Sequence, residues 1–205
     1  GNTGGGMFNL GSGGGVSSPT LTNVTFGGNQ AGSIGGGMVN FGVGGVSSPV
    51  IVNTILWGND APQIFNASSA APTLSYSLVQ GGCPTGATCE DGMLYADPLF
   101  VQPIAAGSAP TTTGDYRLQF ALQPASPAID AGNTLSVTAA TDLDGNPRVV
   151  NHIVDMGAYE AQNAFTLHAG AAGQGAVEVD PQRDVYAYGT AVTLTAQPAA
   201  GHVFA

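Results

Sequence analysis

The sequence predicts an all-β fold: a right-handed parallel β-helix (solenoid) with a C-terminal cap and a small, incomplete antiparallel β domain. Three observations carry that expectation. Segments recur at offsets of 31, 30 and 23 residues. Each recurring unit holds short runs rich in β-branched residues and bounded by Gly, Asn and Pro, the composition of strands separated by tight turns. Glycine (32 residues) and proline (13 residues) also interrupt the chain too often for substantial α-helix.

The repeats define the first elements. Gly4-Gly5-Gly6-Met7 returns as Gly35-Gly36-Gly37-Met38, with Asn9 and Asn40 at the same spacing. Ser17-Ser18-Pro19 returns as Ser47-Ser48-Pro49, and Gly28-Asn29 as Gly58-Asn59. A third, degraded copy begins at Pro72, with Leu74, Val79 and Gly81 in the places of Ile51, Leu56 and Gly58. Units of this length and composition stack as coils of strands about 4.8 Å apart. Leu21, Ile51 and Leu74 are then expected to form one interior column, and Phe26, Leu56 and Val79 another. Neither column is buried without the coils above and below it. Residues 1–104 are assigned to these rungs.

Two readings fit the recurrent asparagines. Asn23 over Asn53, and Asn29 over Asn59, would stack as structural amide ladders; alternatively each is a separate turn residue that tolerates the left-handed conformation. Trp57, the single tryptophan, occupies the place of Gly27 in the preceding unit. It is expected to point outward, as an interface anchor or equally as a sugar platform.

Beyond Leu94 the repetition ends. Residues 105–160 are expected to form a terminal rung and a cap over the last open coil. Residues 161–163 read as a polar hinge. Within 161–205, alternating strands are expected near 165–167, 176–179 and 191–195, with turns at 173–175 and 187–190.

Charge excludes several functions. Only 8% of residues are charged, there is no lysine, and the net charge is -10. Among residues 1–89 the single formal charge is Asp60. Nucleic acid requires a basic footprint that is missing. No apolar run approaches the roughly 20 residues of a membrane helix. Cys83 and Cys89 bound the loop CPTGATC, read as a disulfide in an extracellular setting or as two free thiols. The chain opens within a repeat, so it is expected to be a mature segment or fragment whose leader lies upstream.

Short motifs carry a family resemblance. Gly5-Gly6-Met7, Gly36-Gly37-Met38 and Phe26-Gly27-Gly28-Asn29 resemble the GGA[IL] and FxxN motifs of chlamydial polymorphic outer-membrane proteins, with Leu56 replacing Phe in the second FxxN. The ordered series WGNDAPQI, YSLVQGG, ADPLFV, GDYRLQ, SPAIDAGN, DLDGNPR and VDMGAYE resembles the C-terminal half of bacterial choice-of-anchor Q β-helix proteins. GQGAVEVDP and YAYGTAVTLTAQPAAGHVFA resemble the start of an internalin-type B repeat that would continue past Ala205. The resemblance implies a secreted protein fixed to the cell surface by a variable C-terminal anchor, and no catalytic residues.

The chemistry of the residues agrees with that implication. A pectate-lyase-like β-helix needs an acidic metal cluster and a base, and a glycosidase needs two carboxyl groups about 5–9.5 Å apart. One acid in the first three rungs supplies neither. Asp142-Leu143-Asp144-Gly145-Asn146 is the candidate Ca²⁺ loop, because oxygen ligands alternate, with Asp155 as an additional ligand. An Asp-Gly turn is the competing reading. Asp115 with Arg117, and Asp155 with Arg148, read as ion pairs of the cap. No other cofactor is expected. The expected function is a non-enzymatic, secreted, cell-surface structural or adhesive module whose partner is itself, in an extracellular fibre, or a surface glycan or protein. The alternative is a polysaccharide-binding or polysaccharide-cleaving β-helix.

Overall fold

The computed structural model describes residues 4–108, 115–162, 164–183, 186–187 and 191–203. Almost all of the regular structure among the described residues is strand, and the chain divides after Ala161 into two compact units.

In the first unit the chain visits three parallel sheets in turn. The first pass lays down β1 (Met7–Ser12), β2 (Thr20–Thr22) and β3 (Thr25–Gly27). The second adds β4 (Met38–Ser47), β5 (Val50–Val52) and β6 (Ile55–Trp57). The third adds β7 (Ile64–Ala70), β8 (Thr73–Ser75) and β9 (Leu78–Val79), after which β10 (Thr88–Cys89) joins β8. The sheets run β1-β4-β7, β2-β5-β8-β10 and β3-β6-β9.

Register follows the repeats. Leu21 pairs with Ile51 and Ile51 with Leu74, while Phe26 pairs with Leu56 and Leu56 with Val79. Both expected columns therefore form, and their side chains share one core cluster with Met38 and Ile64. The third pass starts earlier than Pro72: Ile64, Phe65 and Asn66 pair with Met38, Val39 and Asn40. Its sequence had diverged from the motif, so only pairing reveals it.

Each pass bends sharply between its second and third strands. Asn23 (φ 56°), Asn53 (φ 51°) and Tyr76 (φ 45°) occupy this corner in the left-handed region, where Asn costs little. Beside the corner a hydroxyl row completes the backbone. Thr54 N–H donates to Ser77 Oγ at 3.1 Å and Val24 N–H to Thr54 Oγ1 at 3.4 Å.

The β3-β6-β9 sheet is buried on both faces. Leu56 and Val79 face the first cluster, whereas Ile55 and Leu78 face a second with Phe100, Ala128 and Met156. Residues 94–161 supply that cover with little regular structure: one short helix α1 (Asp115–Phe120) and a 3₁₀ turn at Thr134–Ser136. Gly107 N–H donates to Gly28 O, Ala158 N–H to Thr25 Oγ1, and Gly157 N–H to Asn53 O. These contacts reach back to the first and second passes. Residues 105–160, expected from sequence as a terminal rung and cap, make these contacts along the β3-β6-β9 sheet.

The second unit pairs β12 (Gly175–Asp180) with β14 (Thr193–Pro198) antiparallel, and β11 (Ala164–Phe165) with β13 (Tyr186–Ala187). Gly175, expected in a turn, pairs with Pro198 as the first residue of its strand. Most of the expected 187–190 turn lies outside the described residues. No helix among the described residues is long and apolar enough to cross a membrane.

Candidate functional site

A groove of about 630 Å³ lies between β7 and the loop that follows β9. One wall comes from β7 with Phe65 and Asn66, the other from Gln80 to Thr85. That loop is tied down covalently by the disulfide Cys83–Cys89. Asn66 Nδ2 also donates to Thr85 O at 2.9 Å across the groove.

Amides dominate its chemistry, and hydrogen bonds hold them in place. Asn59 Nδ2 donates to Gln63 Oε1 at 2.6 Å and Gln63 Nε2 to Gln80 Oε1 at 3.1 Å. Gly58 N–H donates to that same Gln80 oxygen at 2.8 Å. Gln80 is exposed, and with its oxygen doubly engaged its Nε2 is left as an oriented donor. No lining side chain is charged. Asp60, next to the groove in sequence, accepts from Ala31 N–H instead.

A row of rings leads into the groove. On the outer face of the β1-β4-β7 sheet, Phe8 and Phe41 lie with centroids 5.8 Å apart, and Phe41 and Phe65 6.0 Å apart. Phe8, Leu10 and Val43 on the same face are about half exposed, at 45%, 47% and 53%. Strand alternation explains the placement: Met38 and Asn40 turn inward, so Phe41 and Val43 turn out.

The predicted asparagine ladders are present. Asn29 Nδ2 donates to Asn59 Oδ1 at 2.7 Å, whereas Asn53 Nδ2 reaches Asn23 Oδ1 only at 3.5 Å. A third ladder escaped the sequence reading. Asn9 Nδ2 donates to Asn40 Oδ1, and Asn40 Nδ2 to Asn66 Oδ1, each at 2.8 Å. Its signal was the recurrence of Asn at 9, 40 and 66.

Trp57 pairs in register with Gly27 on the outer side, yet it is half-buried against the second cluster. On the β1-β4-β7 sheet Phe8 is exposed, whereas Phe41 and Phe65 are half-buried like Trp57.

The candidate Ca²⁺ loop uses its oxygens on the backbone. Asp142 Oδ1 accepts from Asp144 N–H at 3.0 Å and Asn146 N–H at 2.9 Å, and Oδ2 accepts from Glu160 N–H at 3.1 Å. The Asp144 carboxylate pairs with Arg117 Nε at 2.7 Å. Asp155 accepts from Asp130 N–H and Ala161 N–H. Among the described residues no group of three or more His, Cys, Asp or Glu side chains is arranged to hold a metal ion. The Asp115 carboxylate, expected beside Arg117, lies outside the described residues.

Acids and a cation do converge nearby, inside the protein. Arg148 Nη2 donates to the Asp155 and Gly157 carbonyls at 2.9 and 2.8 Å and lies 3.7 Å from Glu160 Oε2. Asp155, Glu160 and Arg148 are all buried. Burial pushes the Asp155 carboxyl up to about 6 and the Glu160 carboxyl up to about 7. Both Glu160 oxygens accept backbone N–H groups, from Val150 and Asp155. The cluster is a fastening of irregular backbone, and two perturbed carboxyls alone do not make a catalytic site.

Comparison with family models, with curated proteins and with solved structures found no match for this chain.

Proposed function

We propose that this chain is a non-enzymatic structural or adhesive module of a secreted, cell-surface protein, carried on a right-handed parallel β-helix. The single observation that supports it most is the outer face of the β1-β4-β7 sheet. There the exposed Phe8, Leu10 and Val43 flank a ring row continued by the half-buried Phe41 and Phe65, on a stack whose first 89 residues contain one charge. Contiguous exposed apolar surface of this kind marks an interaction face, and its neutrality suits a neutral partner surface. The Cys83–Cys89 disulfide is consistent with an oxidising extracellular compartment. The motif resemblance to choice-of-anchor Q and polymorphic outer-membrane proteins favours the same reading.

Attachment of the purified chain to mammalian-cell monolayers and to collagen- and fibronectin-coated surfaces tests it. The variant carrying Phe8→Ser and Phe41→Ser is expected to keep its circular dichroism spectrum and lose most attachment. Equal attachment by the variant, or release of reducing ends from polygalacturonate or xylan by the wild type, would overturn the proposal.

A further inference from the structure

The geometry points to a second, more selective site: the groove lined by Asn59, Gln63, Phe65, Asn66, Gln80 and Thr85 binds a neutral oligosaccharide. This rests on the reading of the chain as a non-catalytic binding module, and it assigns a ligand class to a groove that adjoins the attachment face and shares Phe65 with it.

Elimination starts with charge. No lining side chain is ionisable, so nothing compensates the desolvation of a phosphate, a carboxylate or a metal ion. Uronates and nucleotides are thereby disfavoured. A wholly apolar ligand is disfavoured too, because it would strip water from the exposed Gln80 amide without giving its outward Nε2 an acceptor. An uncharged, hydroxyl-rich molecule satisfies both conditions. Hydroxyl groups both donate and accept, which matches amide donors and carbonyl oxygens.

The groove is also pre-organised. The Asn59–Gln63–Gln80 relay and the Gly58 N–H hold the Gln80 amide in one orientation. Asn66 is held at both ends, accepting from Asn40 Nδ2 and donating to Thr85 O. Fixed polar groups cost less entropy on binding. A sugar has apolar C–H faces as well as hydroxyls, and Phe65 supplies a half-buried ring for one such face. The ring row continues from Phe65 to Phe41 and Phe8, so a longer glycan chain has an uncharged track leading out of the groove. A volume of about 630 Å³ lies in the range of small-ligand clefts.

Calorimetric titration with cellohexaose, xylohexaose, mannohexaose and maltohexaose tests the inference, with hexagalacturonate as the charged comparator. At least one neutral hexasaccharide is expected to bind, and hexagalacturonate to bind more weakly. The variant Gln80→Glu keeps an oxygen for Gly58 N–H and Gln63 Nε2 but replaces the outward NH₂ donor. It is expected to retain its melting temperature and lose about tenfold in affinity, the equivalent of one hydrogen bond. Phe65→Leu is expected to weaken binding by a similar factor. Absence of binding by all four neutral probes at millimolar concentration overturns the inference, as does unchanged affinity in Gln80→Glu. Attachment that depends on Phe8 and Phe41 in a chain that binds none of the sugars refutes the groove and leaves the adhesive proposal standing.

Discussion

Asn53 and Asn133, 80 residues apart in sequence, are joined by two hydrogen bonds. Asn53 Oδ1 accepts from the Asn133 N–H at 2.7 Å, and Asn53 Nδ2 donates to the Asn133 carbonyl at 3.0 Å. The amide of a fully buried corner residue thus imitates a strand partner for the irregular segment that covers the flank.

This relationship makes Asn53 a stronger fastening than its ladder neighbour. Asn53→Ala would strand two backbone groups and place a β-carbon residue at φ 51° without a compensating amide. The expected loss is about 3 kcal/mol. Asn23→Ala, which gives up a part-buried bond to Asp155 O and the long contact to Asn53 at a corner of φ 56°, should cost less, about 2 kcal/mol. Urea unfolding of the two variants checks the order, and equal losses would show that the corner conformation alone matters.

The buried carboxyls set a pH dependence. Asp155 rises from 3.8 to about 6 and Glu160 from 4.5 to about 7 on folding. Between those limits the folded chain therefore holds more protons than the unfolded one, and stability falls as pH rises. The melting temperature should be lower at pH 8 than at pH 5, by on the order of 5 °C. Arg148 draws both carboxyls downward, opposing their burial. Arg148→Met should cost about 3 kcal/mol at pH 8 and less at pH 5, where the carboxyls are protonated. A loss independent of pH would mean that Arg148 acts only through the two carbonyls it binds.

Ile55 and Leu56 test the two-sided burial of the β3-β6-β9 sheet. They are adjacent on β6, point to opposite faces, and are buried at 1% and 0% exposure. Ile55→Ala and Leu56→Ala should each destabilise the first unit by about 2–4 kcal/mol. Val50→Thr, at 42% exposure on the neighbouring sheet, should change stability by less than about 0.5 kcal/mol. A near-neutral Ile55→Ala in chemical unfolding would mean that residues 94–161 do not seal that face.

The sequence by itself determined which residues stack. An offset between two near-identical segments places equivalent side chains over one another, so the Leu21–Ile51–Leu74 and Phe26–Leu56–Val79 columns and the Asn29–Asn59 ladder were legible without coordinates. Parallel pairing transmits that register from pass to pass. The third pass was legible only from Pro72, because Ile64–Ala70 keeps Asn66 and little else of the motif.

Only the tertiary structure decided what covers what. Ile55 and Leu78 alternate away from the interior and read as surface until a distant, non-repeating segment arrives with Phe100 and Met156. The same segment half-buries Trp57, while Phe8, Leu10 and Val43 stay exposed on the β1-β4-β7 sheet. Glu160 meets Arg148, and Gln63 meets Gln80, through the approach of chain segments that share no period. A repeat encodes contacts between equivalents; contacts between non-equivalents depend on the path of the chain, and the candidate site is made of these.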